Sequence, residues 1–176
     1  LPGRFGQHVA STLHASLTFE QLYGDIDGDS ASSTELYVLL SALADVPVRQ
    51  GIAVTGSVDQ HGRIQPIGGA IHKIEGFHAI CKERGLDGTQ GVMIPRTNIS
   101  SVVLRPEVAK DIADGLFHIW AADTIEEGIE VLTGIPAGER DDEGIYPEGT
   151  VFRKVRDRLT EFAAEPPAPR VSEIPS

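Results

Sequence analysis

Leu36, Leu39, Leu40 and Leu43 follow the i, i+3, i+4, i+7 spacing of an amphipathic helix, which is expected to begin near Ser30. Ser32 and Glu35 stand at capping-box spacing at its start, and Asp45 and Pro47 close it. Upstream, Leu13, Ala15, Leu17 and Phe19 alternate with more polar neighbours, the period of a half-buried strand over residues 12–21. The Gly- and Asp-rich run Tyr23 to Asp29 between the two is a loop by composition. Ile52 to Ser57 reads as a short apolar strand, Asp59 to Gly62 as a turn, and Arg63 to Ile67 as the returning arm of a hairpin. Gly68-Gly69 leads into a second helix over Ala70 to Arg84 with the stripe Ile71, Ile74, Phe77 and Cys81, ended by Gly85 and Gly88.

Further along, Val92 to Ile94 is a buried-type strand stopped by Pro95, a third helix falls within Pro106 to Ala113, and Phe117 to Ala121 is another strand. Thr124 and Glu127 repeat the capping-box spacing before Ile125, Ile129 and Leu132. After Ile135 the character changes. Gly138 to Gly149 is rich in charges and turn residues, Val151 to Ala164 fits one amphipathic helix, and Glu165-Pro166-Pro167-Ala168-Pro169 has the composition of a disordered end. Strands alternating with helices predict an α+β (mixed α/β) domain over residues 1–134, with its core in 10–134, and a C-terminal extension over 135–176.

Composition narrows what such a domain does. Its 176 residues suit one domain with a tail, and 40% hydrophobic against 23% charged residues fits a soluble globular protein. With 15 basic and 26 acidic side chains the formal net charge is -11, which opposes nonspecific nucleic-acid binding and docking on anionic membranes. No apolar run approaches the roughly 20 residues of a membrane span. The single cysteine, Cys81, precludes an intrachain disulfide and fits a reducing, cytoplasmic compartment. The start Leu1-Pro2-Gly3-Arg4 lacks a methionine and a signal-peptide pattern, and suggests a domain taken from a longer protein.

Two segments hold candidate chemistry. Asp27-Gly28-Asp29-Ser30-Ala31-Ser32-Ser33 places Ser30 after a tight turn at a helix start. There, free N–H groups and the helix dipole favour the oxyanion formed when a serine attacks an amide. A nucleophilic serine needs a base. The six histidines, His8, His14, His61, His72, His78 and His118, are scattered and lie in no diagnostic motif. Lys73 is the better base. It sits in the first turns of the second helix, where the dipole disfavours an ammonium, and a lysine partly buried there is expected to shed its proton more readily. Gly69 and Gly76, on either side, are expected to admit the close approach of another segment. Taken singly, the serines are equally a helix cap and the lysine a solvated surface residue.

Together these segments resemble the Lon proteases. Asp27–Ser33, Val54-Thr55-Gly56-Ser57, Gly62 to Gly69, Lys73, and Gly91-Val92-Met93-Ile94-Pro95 followed by Asn98 occur in the family's order, with Lys73 43 positions after Ser30. The resemblance implies the Lon proteolytic domain, similar to the ribosomal protein S5 domain 2-like fold. It implies Ser30 as nucleophile, Lys73 as general base, Thr55 beside the lysine and the backbone N–H groups of Ser30 and Ala31 as oxyanion donors. Asp27 and Asp29 are supporting, and Phe19 and Glu20 lie on a substrate-binding strand edge. Asp29 next to the serine resembles the B-type and bacterial Lon-like branches. Ser16 and Thr18 stand where many A-type members carry His-x-His, so those histidine roles do not carry over.

The resemblance further implies unfolded protein or peptide substrates, a homo-hexamer, and an AAA+ ATPase segment using ATP and Mg2+. This chain contains no Gly-x-x-x-x-Gly-Lys-Ser/Thr loop and is expected to need no cofactor of its own. Two competing readings exist: a non-proteolytic scaffold domain of a DNA-repair-type ATPase, and a ribosomal or translation-factor domain of the same fold. The paired Ser30 and Lys73 and the acidic balance weigh against both.

Overall fold

The computed structural model describes residues 29–164. The strand expected over 12–21, with Phe19 and Glu20, and the loop residue Asp27 lie outside the described residues, as does the Pro-rich end. The elements run in the order α1 (Ser32–Ala44), β1 (Ile52–Val54), β2 (Ser57–Val58), β3 (Ile64–Gln65), α2 (Ala70–Arg84), β4 (Gly91–Pro95), a 3-10 helix (Arg96–Ser101), α3 (Pro106–Ala113), β5 (His118–Ala122), α4 (Ile125–Thr133) and α5 (Val151–Ala164). This is the mixed α/β architecture the alternation predicts.

Among the described strands β4 is central, parallel to β1 on one side and to β5 on the other, while β2 and β3 form a separate antiparallel hairpin. Parallel neighbours require crossovers, and α2 and α3 lie in the two connections. Every residue of β4 is buried, as a strand covered on both faces must be. Its side chains alternate: Met93 joins a cluster with residues of α1, α4 and α5, whereas Val92 and Ile94 join Ile74 and Cys81 of α2, Val108 of α3, and Phe117. The helices thus form two layers on opposite faces of one small sheet.

Several local expectations change. The apolar run from Ile52 to Ser57 divides at Thr55-Gly56 into two strands of different sheets. Ser32 and Glu35 form no capping box. Ala31 is the N-cap of α1 and makes no side-chain cap, while the Ser32 hydroxyl oxygen accepts from the Val58 N–H at 3.0 Å. Tertiary partners outcompete the local motif. Before α4, the Thr124 hydroxyl does accept from the Glu127 N–H, but the Glu127 carboxylate takes the Asp123 N–H and the Arg96 guanidinium rather than closing the box. The buried face of α1 is Ser33, Tyr37, Leu40, Leu43 and Ala44, so an aromatic anchors a stripe that the leucine spacing alone does not show. Tyr37 closes over α4 where Gly128 has no side chain: a Cβ there would lie 1.8 Å from the phenol oxygen. Burial drives the Tyr37 phenol far above its usual range, with the nearby Glu127 charge adding to the shift.

The segment after residue 134 contributes Ala137, Tyr146, Val151, Phe152, Val155 and Leu159 to the same core as Leu40 and Ile129. α5 begins at Val151, as expected from sequence, and it packs on α1 as an integral layer.

Cys81 is a buried packing residue whose thiol burial pushes upward, as expected for a structural cysteine. His78 is 2% exposed, with its Nε2 2.8 Å from Asp111. Lys82 first, and His78 second, hold the Asp111 carboxyl below the ordinary range.

Candidate active site

Ser30 and Lys73 meet. Lys73 Nζ donates to Ser30 Oγ at 2.8 Å and to Thr55 Oγ1 at 2.9 Å. The two segments singled out in sequence therefore converge on one point, from the turn before α1 and the first turn of α2. None of His61, His72, His78 and His118 reaches Ser30, and His78 is committed to Asp111.

The turn carrying Ser30 is tied to the strand pair beside it. Ser33, 1% exposed, donates to the Gly56 carbonyl through its hydroxyl at 2.7 Å and its N–H at 3.2 Å. Gly56 N–H donates back to the Ser30 carbonyl at 2.8 Å, and Thr55 Oγ1 donates to that same carbonyl at 3.3 Å. The break between β1 and β2 thus turns the backbone of residues 55–56 toward Ser30. Sequence reasoning singles out Ser30 and Thr55 but not Ser33 or Gly56, which look like one more serine at a helix start and one more turn glycine.

These bonds assign a direction to the Thr55 hydroxyl. Its hydrogen goes to the Ser30 carbonyl, so only its lone pairs face Lys73. It therefore accepts an amine hydrogen and turns the remaining position of Nζ toward Ser30 Oγ. Thr55 is 7% exposed, which fixes that orientation, whereas Lys73 is exposed and is not the partly buried residue expected from its helix position.

The backbone N–H groups around Ser30 have different partners. The first N–H groups of α1 are spent: Ser32 on Asp29, Ser33 on Gly56, and Thr34 on Ala31. Among the described residues those of Ser30 and Ala31 donate to no carbonyl. The Asp29 carbonyl accepts the Ser32 N–H at 3.0 Å within that turn, and the Asp29 side chain is exposed.

Lys73 is presented by α2, whose N-cap Gly69 has φ 69°, a left-handed conformation that favours glycine. Among the described residues, a side chain at Gly68, Gly69 or Gly76 would meet nothing within 4 Å, and Gly69 serves the backbone turn. A cavity of about 320 Å3 opens beside the pair, lined by Ser30, Ala31, Thr55 and Lys73 with Ala53, Val54 and Val92. Among the described residues no cluster of His, Cys, Asp or Glu suits a metal ion, and no helix is long and apolar enough to cross a membrane.

A mixed α/β domain that joins a serine to a lysine through a threonine has the arrangement read from the sequence motifs. Residues 24–133 match the Lon protease (S16) C-terminal proteolytic domain, and the chain belongs to that family. It is 49% identical over 151 residues to a Lon protease homolog of Escherichia coli (strain K12), covering 86% of this chain and 25% of that relative. It is 51% identical over 120 residues to a Lon protease homolog of Haemophilus influenzae (strain ATCC 51907 / DSM 11121 / KW20 / Rd), covering 68% and 20%. An archaeal Lon protease of Thermococcus kodakarensis (strain ATCC BAA-918 / JCM 12380 / KOD1) is 36% identical over 156 residues, covering 89% and 21%. The chain spans a quarter or less of the length of these relatives.

Proposed function

We propose that this domain is a serine endopeptidase that cleaves unfolded protein or peptide chains with Ser30 as nucleophile and Lys73 as general base. The observation that carries the reading is the 2.8 Å contact between Lys73 Nζ and Ser30 Oγ, within reach for direct proton transfer.

Neutral Lys73 takes the Ser30 proton as Oγ attacks a peptide carbonyl. The oxyanion is stabilised by the N–H groups of Ser30 and Ala31. Lys73 then passes the proton to the leaving amine, which departs and leaves an ester on Ser30. In the second half the amine activates water against that ester and returns the proton to Ser30. Thr55 keeps the lone pair of the amine aimed at Oγ through both halves. Asp29 supports the turn through its carbonyl. No step requires a cofactor in this domain. Unfolding of folded substrates falls to an ATP- and Mg2+-dependent ATPase segment of the same protein, in a homo-hexamer within a reducing, cytoplasmic compartment.

Hydrolysis of an unfolded casein-like substrate tests the reading, with Thr55→Val as the informative variant. Valine conserves shape but offers no lone pair to Lys73. The expected result is a fall in kcat of about 10- to 100-fold. A kcat unchanged by Thr55→Val contradicts the assigned orientation, and a wild type that neither cleaves nor acylates favours the scaffold reading.

A further inference from the structure

Asn98 carries both of its amide groups into one backbone position. Its Oδ1 accepts the Ile67 N–H at 3.0 Å and its Nδ2 donates to the Ile67 carbonyl at 2.9 Å. Asn98 is 9% exposed, so water has little access to its amide. We propose that Asn98 is a positioning residue that sets Lys73 against Ser30, an inference that rests on the serine–lysine reading.

The reason lies in how the two halves of the site are supported. Ser30 and Thr55 belong to one unit, since the Ser30 carbonyl receives both Gly56 N–H and Thr55 Oγ1. Lys73 arrives from a different unit, through Pro66-Ile67-Gly68-Gly69 after β3. That connector is weakly held. Pro66 has no N–H to donate, among the described residues Gly68 and Gly69 would contact nothing even with a side chain, and α2 has no side-chain N-cap. Ile67 is the point at which both backbone groups of the connector are tied, and one side chain ties them.

The anchor is also common to both halves. Asn98 lies on the 3-10 helix that directly continues β4, and the carbonyl of Met93 in β4 accepts the Thr55 N–H at 3.0 Å. One strand and its continuation therefore fix Thr55 at one end and the entry to α2 at the other. Releasing Ile67 frees α2 to move relative to Ser30. A hydrogen bond of 2.8 Å does not survive a displacement of about 1 Å, and a misplacement of that size costs on the order of 100-fold in rate.

The full chain is compared as wild type, Asn98→Ala, Asn98→Asp and, as a stability control far along α5, Leu159→Ala. The readouts are the rate of Ser30 labelling by a fluorophosphonate, kcat and KM on an unfolded peptide, and Tm. Asn98→Ala is expected to lower the labelling rate and kcat about 100-fold, with KM within about 2-fold of wild type. Asn98→Asp keeps an acceptor for the Ile67 N–H but loses the donor to its carbonyl, and its rate falls between the two. Leu159→Ala lowers Tm while keeping kcat. Labelling of Asn98→Ala at the wild-type rate overturns the inference, as does an equal loss of rate in Leu159→Ala at matched Tm. If Asn98→Ala does not fold, a wild-type rate in Asn98→Asp overturns it. A wild type that fails to label Ser30 removes the serine–lysine reading itself, whereas normal wild-type labelling with an unaffected Asn98→Ala removes this inference alone.

Discussion

Lys73→Ala is expected to reduce peptide hydrolysis by about 10^4-fold or more, the loss seen when a member of a nucleophile–base unit is removed. The fold should barely notice. Lys73 is exposed and among the described residues its Nζ bonds two hydroxyls, so stability should shift by no more than about 0.5 kcal/mol. Lys73→Arg separates basicity from charge. A guanidinium keeps the cation and the donors but cannot be deprotonated, so it is expected to be as inactive as alanine. A variant whose arginine side chain retains substantial activity would make Lys73 an electrostatic partner rather than a base. The wild-type rate should rise with pH, because the amine has to lose its proton before it accepts one from Ser30. Steady-state hydrolysis of an unfolded peptide across pH measures all three.

Truncation after residue 134 is expected to unfold the domain. It removes Val151, Phe152, Val155 and Leu159, all buried in the same cluster as Leu40 and Ile129. Each such side chain contributes about 1.5–3 kcal/mol on burial, and a typical domain has only about 5–15 kcal/mol in total. It also uncovers Tyr37 and Leu40 of α1, the helix that follows the Ser30 turn. Loss of the cooperative thermal transition, followed by circular dichroism, is the expected outcome. A shortened chain that melts near the parent temperature would show that residues 135–164 are an accessory layer.

Much of this arrangement was legible in the residues. The bounds of α2 and α5 follow from glycine punctuation and amphipathic spacing, and the hairpin follows from Asp59 to Gly62 between two apolar arms. Ser30, Thr55 and Lys73 were legible as a constellation of motifs before any distance was known. What the residues do not display is which tertiary partner takes each polar group. Ser32 has the spacing of a cap yet serves Val58, and Ser33, its unremarkable neighbour, makes the buried bond to Gly56. The role of residues 135–164 was hidden for a similar reason. Charged turns between Gly138 and Gly149 make the segment look like a tail, while the apolar face of α5 reports only that it needs a partner, and α1 supplies it. Lys73 shows the opposite error. Its place at a helix start suggested burial, but it lies at the surface, and its special environment consists of two hydroxyl groups.

In the proposed function Ser30 is an activated nucleophile and Lys73 is the group that activates it. The most direct measurement is the site and rate of covalent labelling by a serine-reactive phosphonate, located by mass spectrometry, in the wild type, Ser30→Ala and Lys73→Ala. One adduct is expected on Ser30 of the wild type, forming faster as pH rises, and none in either variant. A wild type that remains unlabelled, or an adduct that forms on Ser30 just as fast in Lys73→Ala, would contradict it.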